Sequence, residues 1–158
     1  MDIFEASRRN NLEELKRNLQ FQSPDEKDPG GSTPLILAAY HNHAEATKIL
    51  LESNADPDVL DRLGNTALMG AAYKGHCEIA RILLKSGAKV DALNSNQATA
   101  LTFASTFGHY EVIYLLLMYG ADPLIRNRFD KNPIDYAKIQ ENEVCYTMLV
   151  SYLKSKSM

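Results

Sequence analysis

The sequence predicts an all-α fold, a helical solenoid of stacked helix-turn-helix units with projecting β-turn or hairpin arms. Three observations carry that expectation. The chain aligns on itself at a step of 33 residues, as from Thr33 to Thr66 to Thr99, without gaps over most of its length. Each copy holds two short apolar-periodic segments, with capping chemistry before them and a residue tolerant of positive φ after them. Between copies lies a stretch rich in Gly, Asn, Asp and Pro, the composition of turns. One such unit cannot bury its own apolar side, so neighbours must stack around a continuous core.

The first helix of each unit starts at Thr33, Thr66, Thr99 and Asn132, whose side-chain oxygens suit an N-cap, and Pro34 is pre-set for the first helical position. Its apolar face is Leu35, Ala38 and Ala39 and their counterparts, Leu68, Leu101 and Ile134 in one column and Ala71, Ala104 and Ala137 in another. The small alanines let a second helix approach closely. Asn42, Gly75 and Gly108 then tolerate the left-handed conformation that ends a helix.

The second helix opens at His43, His76 or His109 and carries Glu45, Glu78 or Glu111 in its first turn, where the helix dipole favours an acid. It buries rows such as Ile49-Leu50 and Ile82-Leu83 and stops at Asn54, Gly87 or Gly120. The segment after it, for instance Ala55 to Gly64, is turn-rich and should project as an arm. A step of 32 joins the first segment to the rest, setting Ala6 against Ala38 and Asn11-Leu12-Glu13 against His43-Ala44-Glu45. That segment is a worn first copy.

With these motifs in place, the chain resembles the ankyrin-repeat family, whose threonine-proline-leucine, glycine-histidine and glycine-alanine-aspartate signatures stand here as Thr33-Pro34-Leu35, Gly75-His76 and Gly120-Ala121-Asp122. The resemblance covers nearly the full chain. It implies a single domain: an N-terminal cap repeat at 1–27, full repeats at 28–60, 61–93 and 94–126, and a C-terminal capping repeat at 127–158. Two columns depart from the family pattern. The histidine often found after the leucine is replaced by Ile36, Met69, Thr102 and Asp135, and the arm glycine, Gly31 and Gly64, becomes Gln97 and Asp130. Differently shaped later arms are therefore expected.

Composition narrows the function. Apolar residues at 45% and charged residues at 23% are those of an ordinary soluble domain. A formal charge of -3 supplies no field toward phosphate backbones or anionic membranes, which disfavours nucleic acid and membrane partners. The start, Met1 to Glu5, lacks the basic patch and apolar stretch of an export signal, so the expected location is cytoplasmic.

Catalysis and metal binding have thin support. His43, His76 and His109 stand in register, but stacked helices are about 8–10 Å apart, too far for one zinc with ligands at about 2 Å. No metal and no cofactor is expected. Cys77 follows His76 near a helix start, so a small cysteine-dependent hydrolase is an alternative, yet its column holds Ala44 and Tyr110 in the other copies. A bridge from Cys77 to Cys145 would span two units, beyond the roughly 7 Å limit between α-carbons, so both are expected as free thiols. A nucleic-acid binder is the third class, opposed by the charge balance.

Columns that vary between copies should carry the function. At the first-helix ends these are Tyr40, His41, Tyr73, Lys74, Thr106 and Phe107. On the arms they are Leu60, Arg62, Leu63, Asn65, Leu93, Ser95, Asn96, Arg126, Arg128 and Phe129. In proteins similar to this one the arms and first helices line the concave face, and here that face would be rich in residue types enriched at interface hot spots. The alternative is that Leu60, Leu93 and Tyr40 pack between arms. On the second helix Tyr114 and Met118, with Tyr110 a turn earlier, replace the charged residues of other copies, marking a possible second contact or weak dimer patch. The expected function is stoichiometric binding of another protein by a chain that is monomeric when free. An inhibitor, an immunity-type protective partner or an adaptor fits.

Overall fold

The computed structural model describes residues 1–157. Among the described residues ten helices run in pairs: α1 (Ile3–Arg8) with α2 (Leu12–Leu19), α3 (Pro34–Tyr40) with α4 (Ala44–Glu52), and α5 (Ala67–Lys74) with α6 (Cys77–Lys85). α7 (Ala100–Thr106) pairs with α8 (Tyr110–Met118), and α9 (Pro133–Ile139) with α10 (Glu143–Lys156). First helices pack in series from α1 to α9 and second helices from α2 to α10, giving two layers. The first-helix layer is the tighter, because its contact residues are small: Ala38, Ala39, Ala71, Ala72, Ala104 and Ser105 are all fully buried.

Local chemistry sets the boundaries. The capping oxygens of Thr33, Thr66, Thr99 and Asn132 accept from the backbone N–H groups of Ile36, Met69, Thr102 and Asp135 at 2.9–3.3 Å. Each cap is worth about 1 kcal/mol. The column that departs from the family histidine returns the bond in the later units: the Thr99 N–H donates to Thr102 Oγ1 and the Asn132 N–H to Asp135 Oδ2, both at 3.0 Å. Asn42, Gly75 and Gly108 end the first helices with φ of 63°, 78° and 71°. Between the layers, Leu50, Leu83 and Leu116 are fully buried at equivalent positions, each contributing roughly 2 kcal/mol by burial.

The arms take the turn form of the two that were expected, and they correct one expectation. No strand occurs among the described residues, so each arm is a hydrogen-bonded turn and not a strand hairpin. Nor do the later arms change shape. Gln97 and Asp130 adopt φ of 60° and 58°, in the region that Gly31 and Gly64 occupy at 86° and 76°. The same two bonds close all four turns: Gly31, Gly64, Gln97 and Asp130 donate to the carbonyls of Asp28, Asp61, Asn94 and Asn127, whose own N–H groups donate to Ser32, Asn65, Ala98 and Lys131. Side-chain oxygens of Asp28, Asp61, Asn94 and Asn127 also accept from the turn backbone at 2.9–3.2 Å. This column of Asp or Asn holds the turn whether or not a glycine follows.

Successive arms are tied together. The Ser95 N–H donates to the Leu63 carbonyl at 3.0 Å, and the Arg128 N–H to the Asn96 carbonyl at 2.8 Å. At the other end of the arm, Asp25, Asp58 and Asp91 accept from the backbone N–H of Asp56, Lys89 and Asp122 in the next unit. Burial pushes the Asp91 carboxyl up, against the pull of the Asp122 N–H.

Candidate functional site

First helices and arms together form one face of the solenoid, and aromatic side chains run along it. The Tyr40 and Tyr73 rings stack across units at 6.5 Å, and Tyr73 meets Phe107 edge-on at 4.8 Å and Phe103 at 6.3 Å. The Lys74 ammonium lies 5.2 Å from the Tyr40 ring centroid, a cation–π distance. Tyr40 is 40% exposed, Tyr73 38% and Phe107 51%, so these rings brace one another while keeping a surface to solvent. Rings packed against one another in this way have less rotamer freedom left to lose in any further contact.

The remaining expected contact residues divide into two groups. Leu60, Arg62, Leu63, Leu93, Asn96, Arg128 and Phe129 stand exposed on the arms, as does His41 at the end of α3. Leu60 and Leu93 are therefore not packed away between arms. Others are engaged in the fold: Asn65 Oδ1 accepts from Asn94 Nδ2 at 2.9 Å, and Thr106 donates to the Thr102 carbonyl at 2.7 Å. Arg126 pairs with Asp135 at 3.3 Å and donates to the Asp130 carbonyl at 2.8 Å. Residues outside the expected set also belong to this face, Asp61 and Thr66 among them. Ile36, Met69, Gly70 and Phe103 line a cavity of about 260 Å³ together with Tyr40 and Tyr73.

The histidine column is a staple between units. His43, His76 and His109 Nε2 bond the carbonyls of Arg8, Tyr40 and Tyr73, in the first helix of the preceding unit, at 2.7, 3.2 and 2.9 Å. Burial is the largest cause holding the His76 imidazole below its ordinary range, with the Lys74 charge acting the same way and the Tyr40 carbonyl opposing. Burial likewise lowers His41, helped by His43, Arg8 and Lys74. Cys77 moves the other way: burial pushes its thiol up, disfavouring the thiolate that a hydrolase would need. His76 Nε2 is already committed to Tyr40.

On the opposite face, Tyr110, Tyr114 and Met118 of α8 are 54%, 61% and 67% exposed. Tyr114 and Met118 border two shallow clefts against α10, one with Cys77, Arg81 and Met148, the other with Met148, Ser151 and Tyr152. Among the described residues no ring there meets another ring.

A series of paired helices with turns tied across units and a lateral aromatic face defines a repeat scaffold of the binding type. A family model for ankyrin repeats, in three copies, matches residues 3–94 and 54–127, and the chain belongs to the ankyrin-repeat family. Membership implies a protein–protein interaction module, in a family whose domains are typically non-catalytic. No curated protein matches the chain. No helix among the described residues is long and apolar enough to cross a membrane.

Proposed function

We propose that this chain binds another protein stoichiometrically through the face formed by its first helices and arms, acting in the cytoplasm as an inhibitor, a protective immunity-type partner or an adaptor. The observation that carries this reading is the aromatic series Tyr40, Tyr73 and Phe107, which crosses three units, is internally braced and stays exposed. Exposed Arg62, Leu63, Arg128 and Phe129 extend the surface onto the arms. Aromatic and Arg side chains of this kind dominate binding energy at protein interfaces.

The test is affinity capture from the native host with mass spectrometry, followed by retention of the captured protein on Tyr73→Ala and Phe107→Ala. Each substitution removes a central anchor and is expected to cost about 2 kcal/mol of affinity, roughly thirtyfold. Phe107→Ala should change thermal stability little, because about half of that ring is exposed, whereas Tyr73→Ala, which removes a ring packed against Tyr40, Phe103 and Phe107, should lower it by an amount too small to account for the lost affinity. Unchanged retention with a lowered melting temperature would reverse the assignment and make the rings structural.

A further inference from the structure

Each arm turn is closed by one Asp or Asn whose Oδ1 accepts from the turn backbone: Asp28, Asp61, Asn94 and Asn127. The second polar atom of these side chains is where the units differ. Asp28 Oδ2 accepts from the Arg8 guanidinium at 2.7 Å. Asn94 Nδ2 donates to Asn65 Oδ1 at 2.9 Å, and Asn127 Nδ2 donates to the Tyr136 hydroxyl at 2.7 Å. Asp61 Oδ2 has no hydrogen-bond or ion-pair partner among the described residues.

The repeat shows why. Three positions supply that partner in the other units, and all three are changed around Asp61. Tyr40 stands at the position of Arg8 in the preceding first helix, Gly70 at that of Tyr136 in the same unit, and Ser32 at that of Asn65 on the preceding arm. Neighbouring cations do not substitute: Arg62 donates to the Pro29 carbonyl, and the Lys74 ammonium lies over the Tyr40 ring. Asp61 instead lines the cavity of about 260 Å³, with the rings of Tyr40, Tyr73 and Phe103 and buried Met69, and it is the one charged residue there. Small-molecule pockets run from about 300 to 1,000 Å³, so the space suits a single side chain. Gly70 helps to keep it open, since a Cβ there would meet only Tyr40 Cδ2, at 3.8 Å, and packing does not require glycine.

We infer that this cavity receives one arginine side chain of the partner protein, its guanidinium bonded to Asp61 Oδ2 and stacked on the aromatic wall. The inference rests on the groove-face reading above and names the residue that the face selects. The occupant is cationic because the lining offers a carboxylate oxygen without a donor, and hydrogen bonds between ionised groups are the strong ones. Aromatic faces attract the same class of group. Two observations favour arginine over lysine. A planar guanidinium both bonds a carboxylate and stacks on rings, and Arg8 is the group that the chain itself sets on Asp28, from the position that Tyr40 holds in the next unit.

The probes are three short synthetic peptides, alike except for a central arginine, lysine or citrulline, titrated into the isotope-labelled full chain. Citrulline keeps the shape of arginine without its charge. The arginine peptide should shift the amide signals of Asp61, Asn65, Gly70 and Tyr73, and bind about tenfold more tightly than the citrulline peptide and severalfold more tightly than the lysine peptide. Asp61→Asn should abolish that preference and leave the melting temperature nearly unchanged, because Asn94 and Asn127 hold the same turn. Tyr40→Arg restores the Arg8 arrangement in this unit, so it should melt higher than Tyr40→Ala when Asp61 is intact and lose that advantage beside Asp61→Asn. No saturable shift, equal binding of the arginine peptide and either of the others, a preference that survives Asp61→Asn, or a Tyr40→Arg advantage indifferent to Asp61 overturns the inference. If retention of the captured partner depends on Tyr73 and Phe107 but not on Asp61, the arginine site fails and the groove-face reading stands. Independence from Tyr73 and Phe107 removes both.

Discussion

The two sides of the solenoid expose tyrosines in different settings. On the groove side, adjacent units are joined by directional contacts: arm to arm through Ser95 and Leu63, Arg128 and Asn96, and Asn94 and Asn65, and helix to helix through the Tyr40, Tyr73 and Phe107 rings. On the opposite side, no hydrogen bond or ion pair connects one second helix to the next among the described residues; α4, α6, α8 and α10 touch by packing alone. Hydrogen bonds and ring contacts specify geometry more narrowly than apolar packing does. Rigidity is therefore concentrated where the groove is, and the tyrosines of α8 sit on a surface that has not been organised in the same way.

The largest effect should come from disturbing an arm. Gly64 has φ of 76°, and a Cβ there would lie 2.9 Å from the Ser95 backbone nitrogen, in the series of contacts between arms. Gly64→Ala adds left-handed strain and a backbone clash, so a loss of about 2 kcal/mol is expected in urea unfolding. Gln97→Gly, at the equivalent position with φ of 60°, should change stability by less than about 1 kcal/mol, since relief of strain and added chain entropy oppose each other. Equal effects at the two positions would show that the arms are not bonded to one another as described.

That pair also marks how far the sequence can be interpreted. Caps such as Thr33 and Thr66 and the helix-ending Asn42 and Gly75 are legible because their chemistry is local, spanning three or four residues. The arm shape is misjudged from Gln97 and Asp130 because attention falls on the lost glycine. The turn is held instead by Asp28, Asp61, Asn94 and Asn127, a column that recurs at the 33-residue step and is visible without coordinates. For the histidines the column is legible but its acceptor is not, since a carbonyl of the preceding unit about 35 residues away leaves no mark on the sequence. Asn65, Thr106 and Arg126 vary between copies for a reason of the same kind, bonding within the fold to partners that variation alone does not reveal. The cavity beside Gly70 is marked in the sequence by a single small residue, but its lining comes from three different helices and from the arm residues Asp61, Asn65 and Thr66.

A smaller effect tests the opposite side. Tyr114 is 61% exposed and lacks a ring partner, so Tyr114→Glu should shift stability by no more than about 0.5 kcal/mol and leave partner retention on the groove unchanged. Sedimentation at raised protein concentration provides the second readout. If the native chain self-associates and the variant does not, the α8 surface is a dimer contact; if the variant instead loses more than about 1 kcal/mol, the ring is packed against α10 and the contrast between the sides weakens.

The smallest expected effect is on the staple between units, and its sign is set by proton linkage. Burial lowers the His76 imidazole in the folded chain below its ordinary value of 6.5, so below that pH the unfolded chain binds more protons than the folded one. Stability should therefore decline as pH falls through 6.5 toward the lowered folded value, and level off beneath it. Lys74, His109 and His41 are the charges that add to the lowering, and the Tyr40 carbonyl opposes it by accepting from the ring. His76→Asn isolates this contribution, because asparagine already occupies the same column at Asn142, where its Oδ1 caps α10 through the Cys145 N–H at 3.0 Å. The variant should fold, and its stability measured by urea unfolding between pH 7 and 5 should fall less steeply than that of the native chain. An identical slope in the two proteins would assign the pH dependence to other groups and leave the His76 bond as packing without a titrating role.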